Sequence, residues 1–175
     1  MKTYTILKTM VLAAVVLINC GAGCSSEKDD PKAEGDTYKL MLGTWKLDRI
    51  TTRQEQSNGT YKNSSNYAKD RTIDVVWEFE KNGGFTSHDN KGNRQTGNWS
   101  LKVQKSTANY IDEGILTLTG SWTKEIAQVF GKEKLEYIIT QGEDGGKLYF
   151  IALIQSKDFT DDKLNTIIEY QYIKQ

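Results

Sequence analysis

Between Ile73 and Glu80 the large apolar side chains fall on every second residue. Ile73, Val75, Trp77 and Phe79 are separated by Asp74, Val76, Glu78 and Glu80. A helix would scatter these four side chains around its circumference, whereas an extended strand gathers them on one face. Such a strand must bury that face and pair its edges. Asn82-Gly83 follows directly and supplies the positive φ angles of a tight hairpin turn, so Phe85 to His88 is predicted to return antiparallel.

The same period recurs along the chain. Asp36 is placed to cap a short turn through Tyr38 to Met41, which leads into Gly43 to Leu47 with Trp45 and Leu47 on one face. Gly97, Trp99, Leu101 and Val103 line one face of a further strand, followed by one over Ile115 to Thr119. Leu135, Tyr137 and Ile139 mark another strand, and Gly142 to Gly146 turns into Leu148 to Ile154. The last runs from Thr166 to Ile173, with Ile168, Tyr170 and Tyr172 on one side.

Two stretches break the alternation. Arg53 to Lys69 is rich in Asn, Ser and Gln, contains Tyr61 and Tyr67, and reads as a long mobile loop or lid. Trp122, Ile126, Val129 and Phe130 recur at helical spacing, with Ser121 as N-cap and Gly131 as C-terminal stop, which predicts a helix over 122–130. Eight strands joined mostly by short turns force antiparallel neighbours. An all-β, eight-stranded antiparallel up-and-down barrel with one short helix buries every edge, and an open sandwich of the same strands is the alternative. The only proline of the chain, Pro31, precedes all these strands, so none lacks a backbone donor.

The amino terminus carries a different message. Lys2 and Lys8 flank the start of an apolar run, Met10 to Ile18, and Gly21, Ala22 and Gly23 follow. This is the layout of a cleavable export signal, and the run is about half the roughly 20 residues of a membrane span. Gly21-Ala22-Gly23-Cys24 resembles a lipobox, in which a cysteine after small residues receives a diacylglyceryl group and becomes the new amino terminus. Leu17-Ile18-Asn19-Cys20 is the competing site; it has the preferred Leu but places Asn19 where a small residue is wanted. The domain reading is a signal peptide over 1–23, a lipidated cysteine with a flexible tether over 24–37, and the barrel over 38–175. Ser25 to Lys32 has no apolar residue, and its Lys28-Asp29-Asp30 resembles the short acidic export signal of Bacteroidetes surface lipoproteins. The resemblance implies an outer-membrane, surface-exposed protein whose membrane contact is its anchor.

Composition removes other classes. Loss of Lys2 and Lys8 from the 23 basic residues leaves 21 against 23 acidic ones, a formal charge of −2. Without a basic excess, nucleic acid is not an expected partner. Beyond Cys24 there is no cysteine, so the domain has no disulfide, thiolate metal site or cysteine nucleophile.

Leu42-Gly43-Thr44-Trp45-Lys46-Leu47 resembles the Gly-x-Trp entry strand of lipocalins. The order of elements is similar to that of lipocalin-like domains in Bacteroidetes lipoproteins: the Gly43 to Leu47 strand, the Trp77 to Phe85 hairpin, and Gly97-Asn98-Trp99 later. That resemblance implies an up-and-down barrel able to hold a small hydrophobic or amphipathic ligand. The mid-chain helix and the absence of a disulfide depart from the pattern.

Nothing reads as catalytic, and no cofactor or metal is expected. His88 is the only histidine and is expected at a surface turn, with no nucleophile beside it. Gly142 to Lys147 lacks the spacing and the Ser or Thr of a phosphate loop, and Asp89 to Asn93 lacks the ligand pattern of a calcium loop. Asp158, Asp161 and Asp162 read as a solvated acidic loop, and Glu78 and Glu80 as the polar face of a strand. Asn58, Asn63 and Asn98 open Asn-x-Ser/Thr triplets that a bacterium generally does not use. The candidate binding residues are therefore aromatic: Trp45, Trp77, Phe79, Trp99, Tyr137, Tyr170 and Tyr172 inside, with Tyr61 and Tyr67 as the lid. The competing reading is a barrel packed solid, serving as a scaffold with Arg53 to Lys69 as its protein-contact surface.

The anchor assignment is directly testable. Cys24→Ala is expected to release the protein from washed membranes into the soluble fraction, while Cys20→Ala leaves it attached. Release by Cys20→Ala alone would move the lipid to Cys20.

Overall fold

A computed structural model describes residues 36–157 and 165–175. The signal segment, Cys20, Cys24, the tether with Lys28-Asp29-Asp30, and the Asp158 to Asp162 loop lie outside the described residues. Nine strands form one antiparallel sheet: β1 Gly43–Glu55, β2 Tyr61–Tyr67, β3 Val75–Phe79, β4 Gly84–Asp89, β5 Arg94–Ser106, β6 Ile111–Thr119, β7 Leu135–Asp144, β8 Lys147–Lys157 and β9 Asn165–Lys174. Among the described residues one α-helix, α1, spans Ser121–Val129 between β6 and β7.

The sheet closes because β9 pairs with β1, from Trp45↔Lys174 to Gln54↔Thr166. Eight strands, β1 and β3 to β9, make the up-and-down barrel that the alternation predicts. The ninth corrects the loop reading of Arg53 to Lys69. β1 runs on to Glu55, and β2 folds back along it in register from Glu55↔Tyr61 to Arg49↔Tyr67. β2 and β3 thus share one edge of β1, since β3 takes only Gly43 to Lys46. Between them the chain makes a 3-10 turn at Lys69–Arg71.

A bulge at Asp48 lets β1 serve both halves. The register with β9 skips from Leu47 to Arg49, and the Asp48 carbonyl instead accepts the Ala68 N–H at 2.7 Å. An extra residue reverses which parity faces inward. Trp45 and Leu47 are buried below the bulge and Ile50 above it.

Turn chemistry follows the glycines. Gly145 and Gly146 both take positive φ, +55° and +75°, so the β7–β8 hairpin closes with Asp144 paired to Lys147. In the β3–β4 turn only Gly83 has positive φ. Asn82 instead accepts the Gly84 N–H on its side-chain oxygen at 2.8 Å. The helix begins one residue earlier than the spacing predicts, at Ser121, with Gly120 rather than Ser121 as its N-cap. Gly131, at φ +64°, ends it as expected, and the Lys132 N–H reaches back to the Ala127 carbonyl. Trp122 and Phe130 are buried against the barrel, but Val129 is 46 % exposed because the helix turns it to the outside.

One glycine is required by close approach alone. A Cβ on Gly97 would sit 1.9 Å from the Thr119 carbonyl oxygen, so β5 and β6 meet there with no space for a side chain. Gly97→Ala must push the two backbones apart and is expected to cost roughly 1–3 kcal/mol. Urea unfolding should show a lower midpoint with an unchanged slope; an unchanged midpoint would refute the packing argument.

Candidate functional site

The inner face of the barrel is almost wholly apolar. All seven interior candidates, Trp45, Trp77, Phe79, Trp99, Tyr137, Tyr170 and Tyr172, are buried. They reach one another because alternate residues of successive strands face the same enclosed space. Trp77 on β3 stacks on Tyr172 of β9 at 4.4 Å between ring centres, and Tyr172 stacks on Phe150 of β8 at 4.9 Å. Trp45 meets Phe150 edge-on at 4.8 Å, and Phe79 meets Trp99 at 5.3 Å. Offset and edge-to-face contacts of this kind suit the ring quadrupoles.

One end of the barrel, at Gly43, Phe79 and Lys174, is sealed. The 3-10 turn Asp36–Leu40 lies across it, with Met41 fully buried and Tyr38 against Trp99 at 6.2 Å. The Trp45 indole donates to the Met41 carbonyl at 2.8 Å. Lys174 donates to the Leu42 carbonyl at 2.6 Å while its ammonium lies over the Trp45 ring at 4.8 Å. Partial burial holds the Lys174 pKa below the ordinary lysine value. Gln141, buried on β7, accepts the Ile111 N–H at 3.1 Å and donates to the Leu40 carbonyl at 3.1 Å. Strand parity alone, Leu135, Tyr137, Ile139, Gln141, would have flagged this inward polar residue. Lys174 lies past the terminal strand segment in the sequence pattern and had no such signal.

The middle of the barrel is different. Tyr137, Tyr170 and Tyr172 are buried, with the Tyr137 and Tyr170 rings 6.2 Å apart and Tyr137 5.7 Å from Trp77. None of their hydroxyls has a hydrogen-bond partner among the described residues, in contrast to the indole N–H groups of Trp45, Trp99 and Trp122. Every fully occluded polar side-chain atom among those residues does have a partner. The three hydroxyls are therefore not fully occluded. Ala152, fully buried and paired with both Ile139 and Tyr170, is a small side chain on this same inner face. Desolvation pushes all three phenol pKa values up, and Tyr170 and Tyr137 push Tyr172 further.

The lid candidates lie elsewhere. Tyr61 and Tyr67 sit on a strand rather than a loop, on the face shared by Arg49, Thr51 and Arg53 and opposite to that of buried Ile50. Both are nearly half exposed, and Tyr67 is flanked by Arg49 and Lys69 at 6.0 and 5.5 Å. His88 belongs to β4 rather than to a turn, and its ring lies 3.4 Å from Glu78 on the neighbouring strand. Asp89 and Asn93 close the adjoining turn through hydrogen bonds of 2.8 to 3.1 Å. Among the described residues no group of three or more His, Cys, Asp or Glu side chains is arranged to hold a metal ion. Compared with known proteins, the chain matches no family model and no curated protein.

The raised phenol values have a direct consequence for pH. A group whose folded pKa lies above its unfolded value of 10.0 contributes fully below that pH and loses the contribution as pH rises beyond it. The barrel should lose stability above about pH 10. Of the nine tyrosines, Tyr137, Tyr170 and Tyr172 should ionise only when the barrel opens. Absorbance at the phenolate band, followed beside near-ultraviolet circular dichroism, checks this. Smooth ionisation of every tyrosine before the structure melts would contradict it.

Proposed function

We propose that this protein is an envelope lipoprotein, held by lipid on Cys24, whose lipocalin-like barrel binds a small amphipathic molecule. The observation that carries the reading is the trio of buried tyrosines on the inner face of the barrel, whose hydroxyls have no hydrogen-bond partner among the described residues. Burying a hydroxyl without a hydrogen bond costs about 1–3 kcal/mol by mutational measure. A fold has no reason to keep three such groups together in an aromatic barrel unless water or a ligand satisfies them. Apolar walls with a few convergent polar groups are the usual make-up of a small-molecule site.

The chemistry narrows the occupant. Phenols with raised pKa values stay protonated at neutral pH and act first as hydrogen-bond donors. They favour a carbonyl, ester or ether oxygen on an otherwise apolar molecule. Trp77, Ile154 and Ile168 offer the apolar contacts. Since the Gly43 end is sealed by the 3-10 turn, entry is from the opposite end, beside α1 and the turn at Lys69–Arg71. The role is binding or carriage, not catalysis, and the anchor keeps it at the membrane where such amphiphiles concentrate.

A second reading, a scaffold without a ligand, is favoured by the ring stack from Trp77 through Tyr172 to Phe150, which packs one member of the trio between two other rings. Extraction of the protein purified from its native membrane decides between them. A stoichiometric amphiphile in the organic phase supports the binding reading, and Tyr170→Phe or Tyr137→Phe should each weaken its rebinding about 2- to 10-fold with the fold intact. A barrel that yields nothing, and binds no amphiphile from the host lipid extract, would leave the scaffold.

A further inference from the structure

We propose that Arg71 is the head-group residue of the barrel, holding the carboxylate of an amphiphile at the rim while its tail lies against the tyrosine trio. The inference rests on the binding reading above and names the class of amphiphile that fits it. Pairing registers carry the inner face of the barrel out onto β2. Tyr170 pairs with Ile50, and Ile50 pairs with Asn66, so the three side chains form one row on one face. Neighbouring strands lie about 4.8 Å apart, which sets Asn66 roughly 10 Å across the sheet from Tyr170. The Asn66 side-chain oxygen accepts from Arg71 Nε at 3.2 Å and from Nη2 at 2.7 Å. The guanidinium is therefore held beside the row that leads to the trio.

The turn that presents it is fixed. Ala68 is buried, its N–H donates to the Asp48 carbonyl at the bulge, and its own carbonyl accepts the Arg71 and Ile73 N–H groups at 3.1 and 3.0 Å. Thr72 follows at φ +53°, the one non-glycine residue with positive φ among those described. A β-branched residue is strained there, and such strain gathers where a turn must aim a side chain. Two of the guanidinium N–H groups go to Asn66. The parallel pair across its terminal nitrogens is left, and that edge matches the two oxygens of a carboxylate. No carboxylate pairs with Arg71 among the described residues, Asp70 of the same turn included. Lys62 is the one charged residue of β2, and it lies on the inner face with Asn66. No charged side chain is buried in the interior among the described residues. An ionised head would lose its hydration there with nothing to replace it, and so it stays at the rim.

Titration with dodecanoate and with its methyl ester, followed by tryptophan fluorescence, separates head from tail. The parent is the full-length chain carrying Cys20→Ala and Cys24→Ala, so that no lipid of its own competes. Dodecanoate should bind it, and Arg71→Gln should weaken that binding about 3- to 10-fold while moving the ester by less than about twofold. Asn66→Ala, which frees the guanidinium to turn away, should give a smaller loss confined to dodecanoate. Raising the salt from about 0.05 to 0.5 M should weaken dodecanoate and spare the ester. Arg71→Glu should lose dodecanoate further and take up dodecylammonium more tightly than the parent does. Arg71 is exposed, so its variants should keep the far-ultraviolet circular dichroism of the parent. Effects shared equally by dodecanoate and the ester, or absent from both, would overturn the head-group assignment and leave the pocket standing. A parent that takes up neither would count against the pocket itself, and the assignment falls with it.

Discussion

Closure by β1 against β9 is the interaction on which the rest of the structure depends. An eight-stranded sheet left open would present two long edges and expose its aromatic face. Here Trp45 to Gln54 pairs with Lys174 to Thr166, and side chains reinforce the seam from end to end. Arg49 bonds Gln171, Arg53 meets Glu169 at 2.7 Å, and Glu55 accepts both the backbone and the side-chain N–H of Asn165. The surface pair Arg53–Glu169 contributes little by itself. Its value is in register, because a one-residue slip would turn Tyr170 and Tyr172 out of the barrel.

That seam also explains how one strand serves three neighbours. Below Asp48, β1 lies between β9 and β3; above it, between β9 and β2. The bulge changes the inward parity at the changeover, so Trp45 and Leu47 fill the sealed end while Ile50, paired with Tyr170, reaches the tyrosine trio. The two regions differ in kind. At the sealed end the Trp45 and Trp99 indoles and the Gln141 amide are all bonded to the protein, and it behaves as core. The middle has three hydroxyls with no hydrogen-bond partner among the described residues, although every fully occluded polar side-chain atom there has one, so these oxygens are within reach of water.

Most of this architecture was legible because burying one face of a strand imposes a two-residue period. The inward positions of Trp77, Phe79, Trp99, Tyr137, Tyr170 and Tyr172 follow from that period directly. β2 was not legible for the same physical reason. Its side chains are almost all exposed on both faces, so no alternation is written into Tyr61 to Tyr67. The upper half of β1 was hidden by the bulge, which breaks the period that begins at Trp45. Helix spacing located α1, but it could not tell that Gly120, at φ +157°, rather than Ser121 would precede the first turn. The unsatisfied hydroxyls could not be read at all, since parity places a tyrosine inside without saying what its oxygen meets.

The upper half of β1 is the part of the barrel wall beside the tyrosine trio that β3 does not brace. Its Ile50 side faces the tyrosine trio, and its outer edge carries β2. Above Asp48, β1 pairs with β9 and β2 and not with β3. The wall beside the trio is thus held by one ladder of hydrogen bonds to β9 and one to β2. The sealed end, tied by Trp45, Gln141 and Lys174, lies outside the ladder to β2 and would be expected to stay fixed while the upper half responds to a ligand.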